Sequence, residues 1–227
     1  MDKNKFTSAL KKIKETSNKR NFNQTVDLIV TLKDLDLKKP DHQVDFFLPL
    51  HHSNGKQIKL CGLVGPELRE LSQKELDFTV SIDEFERYAK DKKLIKKLAE
   101  EYDFFIAQST LMPKVAQTFG RVLGPRNKMP NPKSGCVVPP NANLAQVKGR
   151  LQNMVRVFVK TSMQFQIAVG KEDMDEEIVL DNAITVYNQL VRHLPNEFHN
   201  IKDIFMKLTM GPAVKVGLES ETEVSEK

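Results

Sequence analysis

The chain has 227 residues, 40% hydrophobic and 29% charged, which supplies material for a core and speaks against disorder. No apolar run reaches the ~18–20 residues of a membrane helix, and the basic N-terminus has no apolar stretch behind it, so it does not read as a secretory signal. The net charge is only +5, and two cysteines, Cys61 and Cys136, cannot build a disulfide framework, so a reduced, intracellular protein of one large or two smaller domains is expected.

In chain order, Phe6, Leu10 and Ile13 share one face of a basic amphipathic helix over residues 4–17. Gln24–Lys33 alternates as a half-buried strand, with Ile29 the one break, and Gln43–Leu50 reads as a second strand before a polar turn at Asn54–Gly55. The rhythm then changes. Short apolar strands (Ile58–Val64, Phe78–Ile82, Asp103–Gln108) alternate with a Pro66-initiated helix and a helix or helix pair over Glu84–Glu101, an order that argues for a small parallel sheet with helices on its faces. A loop over Gly124–Pro140 holds five of the eleven prolines, which makes it stiff, and Asn143–Val155 reads as a helix. Met163–Val169 is a strand, and Asp173–Leu194 a long helix with Leu180, Ile184, Tyr187, Val191 and Leu194 on one face. Strands over Ile201–Met210 and Ala213–Gly217 end the pattern, and the acidic tail 219–227 reads as disordered. The fold class is therefore α/β, with one domain made from both termini and a second inserted between them.

The charge is segregated along the chain. Residues 1–20 carry seven Lys or Arg against two acids, and residues 104–171 contain ten Lys or Arg and no Asp or Glu. At the chain's average frequency that second stretch would hold about nine carboxylates. Such separation suits a polyanion partner, since a carboxylate near phosphate costs repulsion. A solvated basic face is the plainer alternative.

Catalysis is poorly supported. There is no GxGxxG and no GxxxxGK[ST]. Histidine is absent between Ser53 and Arg192, so the Gly/Pro loop has no general base near it in sequence. With no CxxC and no HxxxH, neither a metal nor a cofactor is expected. Nothing signals a helix-turn-helix or zinc-finger DNA binder.

Three stretches carry a family likeness: KRNFNQTVDLIV (Lys19–Val30), LGPRNKMPNPKSG (Leu123–Gly135) and KLTMGPAVKV (Lys207–Val216). With YDFFIAQSTLMP (Tyr102–Pro113) and FQIAVGKEDM (Phe165–Met174), the sequence resembles the L-one family of large-subunit ribosomal proteins, in its archaeal form, over all but the acidic tail. The resemblance implies an α+β domain from residues 1–55 plus 158–227 and an inserted Rossmann-like three-layer α/β domain over 56–157. It implies a structural, non-enzymatic, cytoplasmic protein that is monomeric when free and needs no membrane. Its partners would be structured large-subunit rRNA, the exit-site tRNA whose release the mobile side stalk aids, and its own mRNA, which it would repress.

Phe22, ahead of the first strand, could stack on a ribose or base or could cap the core; its matching family position faces RNA. Thr25 could reach a phosphate or 2′-OH, with Lys19 and Arg20 as phosphate partners or a solvated pair. Thr209, Met210 and Gly211 offer a hydroxyl, an adaptable side chain and a backbone open to close approach; read alone, TMGP is a strand end and turn, and the resemblance makes it RNA-binding. Gln166 falls opposite a family position that contacts RNA, or fills its strand. Arg121, Arg126, Lys128 and Lys133 could form a secondary RNA contact or a stiff basic loop. Cys61 and Cys136 read as core fillers, and the adjacent His51 and His52 as a poor metal pair.

Overall fold

The computed structural model describes residues 3–39 and 42–217, so the tail over 219–227, expected to be disordered, lies outside the described residues. The chain divides into two compact units, Met1–Gly55 with Val155–Lys227, and Lys56–Met154, and each is mixed α/β.

The first unit opens with α1 (Lys3–Thr16), whose Phe6, Ala9, Leu10 and Ile13 are buried at helical spacing while the lysines stay on the other face. Each large apolar side chain so buried contributes roughly 1.5–3 kcal/mol relative to exposure. β1 (Thr25–Leu32) follows, with Val26, Leu28, Val30 and Leu32 in the core and Thr25, Asp27, Ile29 and Thr31 half-buried on the opposite face. β2 (Val44–Pro49) leads to the turn where the chain leaves the unit.

The second unit is built on β3 (Leu60–Val64), α2 (Pro66–Glu75), β4 (Phe78–Ser81), α3 (Phe85–Lys90), α4 (Lys92–Glu101) and β5 (Phe104–Gln108). The helix pair expected over Glu84–Glu101 breaks at Asp91, whose carboxylate accepts the Lys93 N–H at 2.8 Å and so caps α4. α5 (Met112–Leu123) has no counterpart in the sequence reading, although Val115, Phe119 and Leu123 lie on one buried face and Pro113 suits its first turn. The Pro/Gly loop is not without regular structure. It contains β6 (Val137–Val138), which extends the parallel sheet to the order β4-β3-β5-β6. α6 (Leu144–Gln152) closes the unit.

The helix expected to run to Val155 stops at Gln152, because MVRVFV alternates and forms β7 (Met154–Val159), paired with β2. The chain therefore re-enters the first unit at Val155 rather than at 158. β8 (Gln164–Lys171), α7 (Glu176–His193), β9 (Ile201–Leu208) and β10 (Val214–Lys215) complete it. The main sheet has the order β10-β9-β1-β8, with β1 antiparallel to both neighbours. Along α7 the buried residues are Val179, Leu180, Asn182, Ala183, Val186 and Leu190; of the face expected from the sequence, Leu180 and Leu194 are buried and Ile184, Tyr187 and Val191 are half-buried. Asn182 is buried among them and cross-links three segments. Its side chain donates to the Val169 carbonyl at 2.9 Å and the His52 carbonyl at 3.2 Å, and accepts the His52 N–H at 3.3 Å.

Replacing Asn182 with Ala strands the buried Val169 carbonyl and frees the part-buried His52 groups, and an unsatisfied buried group costs about 1–3 kcal/mol. We expect Asn182→Ala to lose about 2–3 kcal/mol in urea unfolding; unchanged stability would show that water replaces the amide there.

Candidate RNA interface

The start of β1 and the end of β9 are far apart in sequence and adjacent in space. The Thr25 N–H donates to the Thr209 hydroxyl oxygen at 3.0 Å, and the Thr209 N–H donates to the Thr25 carbonyl at 3.1 Å. One residue further out, the Met210 N–H donates to Oε1 of Gln24 at 3.1 Å. Gln24 is buried, 1% exposed, and its Nε2 donates to Glu172 at 3.3 Å and to the Asn18 carbonyl at 3.4 Å. The Glu172 N–H returns a bond to the Gln24 carbonyl at 2.9 Å. One side chain thus gathers the approach to β1, the end of β8 and the turn after β9. Neither composition nor periodicity singled it out. The signal available was a polar residue wedged between a candidate contact, Phe22, and the first strand residue.

This junction sets the exposure of its neighbours. Met210 is 61% exposed and Phe22 52% exposed, two of the six large apolar side chains that stand exposed among the described residues. Lys19 and Arg20 are exposed on the segment entering β1. The Gly211 N–H turns back to the Leu208 carbonyl at 3.0 Å, and a methyl group at Gly211 would run into the Ser17 hydroxyl. That hydroxyl is buried and, among the described residues, without a hydrogen-bond partner. Glycine is therefore needed at 211 for packing as well as for approach from outside. Lys19, Arg20, Phe22, Thr25, Thr209, Met210 and Gly211 all border this one end of the sheet.

Gln166 lies further along, on the half-open sheet face. Its Nε2 donates to Asp27 at 2.8 Å, and Lys207 stands directly across from Asp27 on β9. Partial burial raises the Asp27 carboxyl above its usual range, against the lowering effects of Gln166 and Lys207.

The four basic residues proposed as a secondary contact separate into two kinds. Arg121, on α5, and Lys133 are exposed. Arg126 pairs with Glu100 at 3.1 Å, so the loop is partly neutralised by a carboxylate remote in sequence. Lys128 donates to the carbonyls of Ala99 and Tyr102 at 2.8 and 2.7 Å, and burial lowers its pKa. Its ammonium staples the loop to the C-terminal end of α4, which suits the negative end of a helix dipole and withdraws it from contact with a ligand.

The inserted sheet has the strand order in which nucleotides bind at the carboxyl ends of its two central strands. Here Gln108 fills that place, accepting the Gly65 N–H at 3.0 Å and donating to Glu67 at 2.9 Å. A phosphate there would meet the Glu67 carboxylate at the N-terminus of α2. Cys61 and Cys136 are buried, and burial pushes both thiols up, as for inert core residues. Among the described residues no cluster of His, Cys, Asp or Glu is arranged to hold a metal, and His51 instead bonds Asp181 at 2.9 Å. No helix among them is long and apolar enough to cross a membrane.

Comparison with known proteins settles the lineage. Residues 10–212 match the ribosomal protein L1p/L10e family. The chain belongs to that family. It is 40% identical to the large ribosomal subunit protein uL1 of Nanoarchaeum equitans over 211 residues, covering 91% of this chain and 97% of the relative. The uL1 proteins of Thermococcus kodakarensis and Methanocaldococcus jannaschii are 39% and 38% identical, covering 95% and 96% of this chain and 98% of each relative. The family is one of ribosomal proteins rather than enzymes, in keeping with the occupied crevice of the inserted sheet.

The Asp27 shift has a pH consequence. A carboxyl whose folded pKa lies above its unfolded value binds protons more readily when folded, so stability falls as pH rises through that range. Asp27→Asn should therefore be more stable than the parent at neutral pH, with the gap closing as pH drops through the raised Asp27 pKa. Urea unfolding from pH 3 to 7 checks this; a gap that widens toward acid would contradict it.

Proposed function

We propose that this protein is a structural component of the large ribosomal subunit that anchors to structured rRNA through the discontinuous first unit. The observation that carries the reading is the junction at Gln24, Thr25, Thr209 and Met210, which holds Phe22 and Met210 outward in a setting where an aqueous surface gives them no partner. An aromatic ring and an unbranched thioether beside exposed Lys19, Arg20 and backbone at Gly211 make a surface suited to ribose edges and phosphates. Family membership supplies the ribosomal setting.

On this reading, Thr25 and Thr209 act mainly through each other. Their hydroxyl and amide hydrogen bonds hold the strand ends, and the direct RNA contacts fall to Met210, Phe22 and the Gly211 backbone. Arg121 and Lys133 remain candidates for a secondary contact. The finer role is a mobile side stalk at the tRNA exit site that aids departure of deacylated tRNA, with repression of the protein's own mRNA through a mimic of the rRNA site. The resemblance of the sequence to its family supports that role.

The test is binding of the full chain to structured fragments of large-subunit rRNA, with duplex DNA, ATP and a leader fragment of its own mRNA as competitors. The leader should compete, whereas DNA and ATP should not. Met210→Asp places a negative charge at an exposed position and should weaken rRNA binding at least tenfold, about 1.4 kcal/mol, with the melting temperature unchanged. Full affinity in a folded Met210→Asp variant would remove the junction from the interface.

A further inference from the structure

α4 carries a second feature that the first unit's interface does not use. Its sequence, KKLIKKLAEE, buries Ile95, Leu98 and Ala99 and exposes Lys92, Lys93, Lys96 and Lys97. At 3.6 residues per turn these four lysines occupy an arc of roughly 140° opposite the buried face, over about 7.5 Å of helix. Among the described residues, none of the four ammonium groups makes an ion pair. Lys14, Lys56, Lys160 and Lys215 each pair with a carboxylate, whereas the α4 lysines stand four together on one helix face without one.

This arrangement works against the helix that bears it. Lys92 and Lys93 occupy the first turn, which contains no acidic residue, where the dipole favours negative charge. Lys92 with Lys96, and Lys93 with Lys97, are like charges at i,i+4, a destabilising spacing. Asp91 caps the helix through the Lys93 amide and Glu100 pairs with Arg126 at the far end, which leaves Glu101, four residues beyond Lys97, as the carboxylate of this helix that faces four lysines. α5 packs beside α4 and adds exposed Lys114 and Arg121 with no carboxylate of its own. α3, which also packs against α4, contributes Glu86 together with Arg87 and Lys90.

We propose that the lysine face of α4 is a second polyanion-binding surface, which holds the phosphate backbone of double-helical RNA. Flexible ammonium groups grip phosphates as point charges without reading sequence, which suits a backbone contact. A ribosomal family supplies RNA as the polyanion the surface meets. The surface lies on the inserted unit and does not depend on the junction in the first unit, so the two contacts succeed or fail separately.

The test uses the full chain and a fluorescently labelled 20-base-pair RNA duplex of arbitrary sequence, titrated by anisotropy at several salt concentrations. The variant Lys92→Gln, Lys93→Gln, Lys96→Gln, Lys97→Gln should bind the duplex at least tenfold more weakly at low salt. Its log–log salt slope should be shallower by about 2–4, the number of counterions no longer released. Its melting temperature should equal or exceed the parent's, because the like-charge pairs are gone. The four matching Lys→Arg changes should retain binding. Duplex affinity and salt slope unchanged in the folded Gln variant would overturn the proposal. So would a parent that binds poly-glutamate but not duplex RNA, which would make the partner an acidic protein.

Discussion

The hydrogen bonds of the Gln24 side chain are the constraint from which the first unit's surface follows. A buried amide satisfied by groups on three segments cannot move without leaving several polar atoms bare, so it fixes those segments together. It sits where the antiparallel ladder of β1 and β9 ends, and it extends that ladder by one turn beyond the last strand pair. Thr25 and Thr209 supply the final rung. Without these bonds the turn at Met210 and Gly211 would have only its own Leu208 contact to hold it. With them, the Met210 side chain is held exposed beside the strand ends.

The charges obey the same division between stability and binding. The long stretch without carboxylates is not uniformly available to a ligand. Arg126 is neutralised by Glu100, Lys128 is spent on two carbonyls, and Arg156 holds Asp45 at 2.9 Å while lying near the Phe47 and Phe158 rings. These long side chains close the ends of helices and strands. The uncompensated positive charge lies instead on exposed positions such as Lys19, Arg20 and the α4 lysines. Asp27 is the exception of opposite sign: a carboxyl kept on the sheet face at an energetic cost, held by Gln166 and faced by Lys207.

Much of this was legible in the sequence. Alternation in TVDLIVTL gave β1 and its buried set, because one face of that strand is covered and the other is not. The helical spacing of Phe6, Leu10 and Ile13 gave α1 for the same reason. α5 escaped notice because it adjoins a loop dense in Pro and Gly, and its three buried residues are separated by polar and small ones. β7 is easily read as a continuation of the preceding helix because Leu151, Met154 and Val155 fit one helical face, although the helix ends at Asn153. The expected core face of α7 holds in part, with Leu180 and Leu194 buried, but it missed Ala183, Val186 and the buried Asn182, which counts as polar in any hydrophobic pattern. Gln24, Glu172 and the staple made by Lys128 were invisible for a common reason: each acts through partners distant in sequence, and polarity alone does not reveal a satisfied buried group. The lysine arc of α4 was plain as composition, yet its lack of ion pairs required the folded chain.

The central claim is that the Gln24 junction builds the RNA-facing surface rather than merely stabilising the fold. The direct measurement is rRNA-fragment affinity of Gln24→Leu beside that of a folded variant destabilised to a similar degree elsewhere in the first unit. Gln24 itself is buried, so any loss must act through the segments it holds. The account predicts at least a tenfold loss of affinity for Gln24→Leu and near-parental affinity for the matched variant. Equal affinities in the two variants would contradict it.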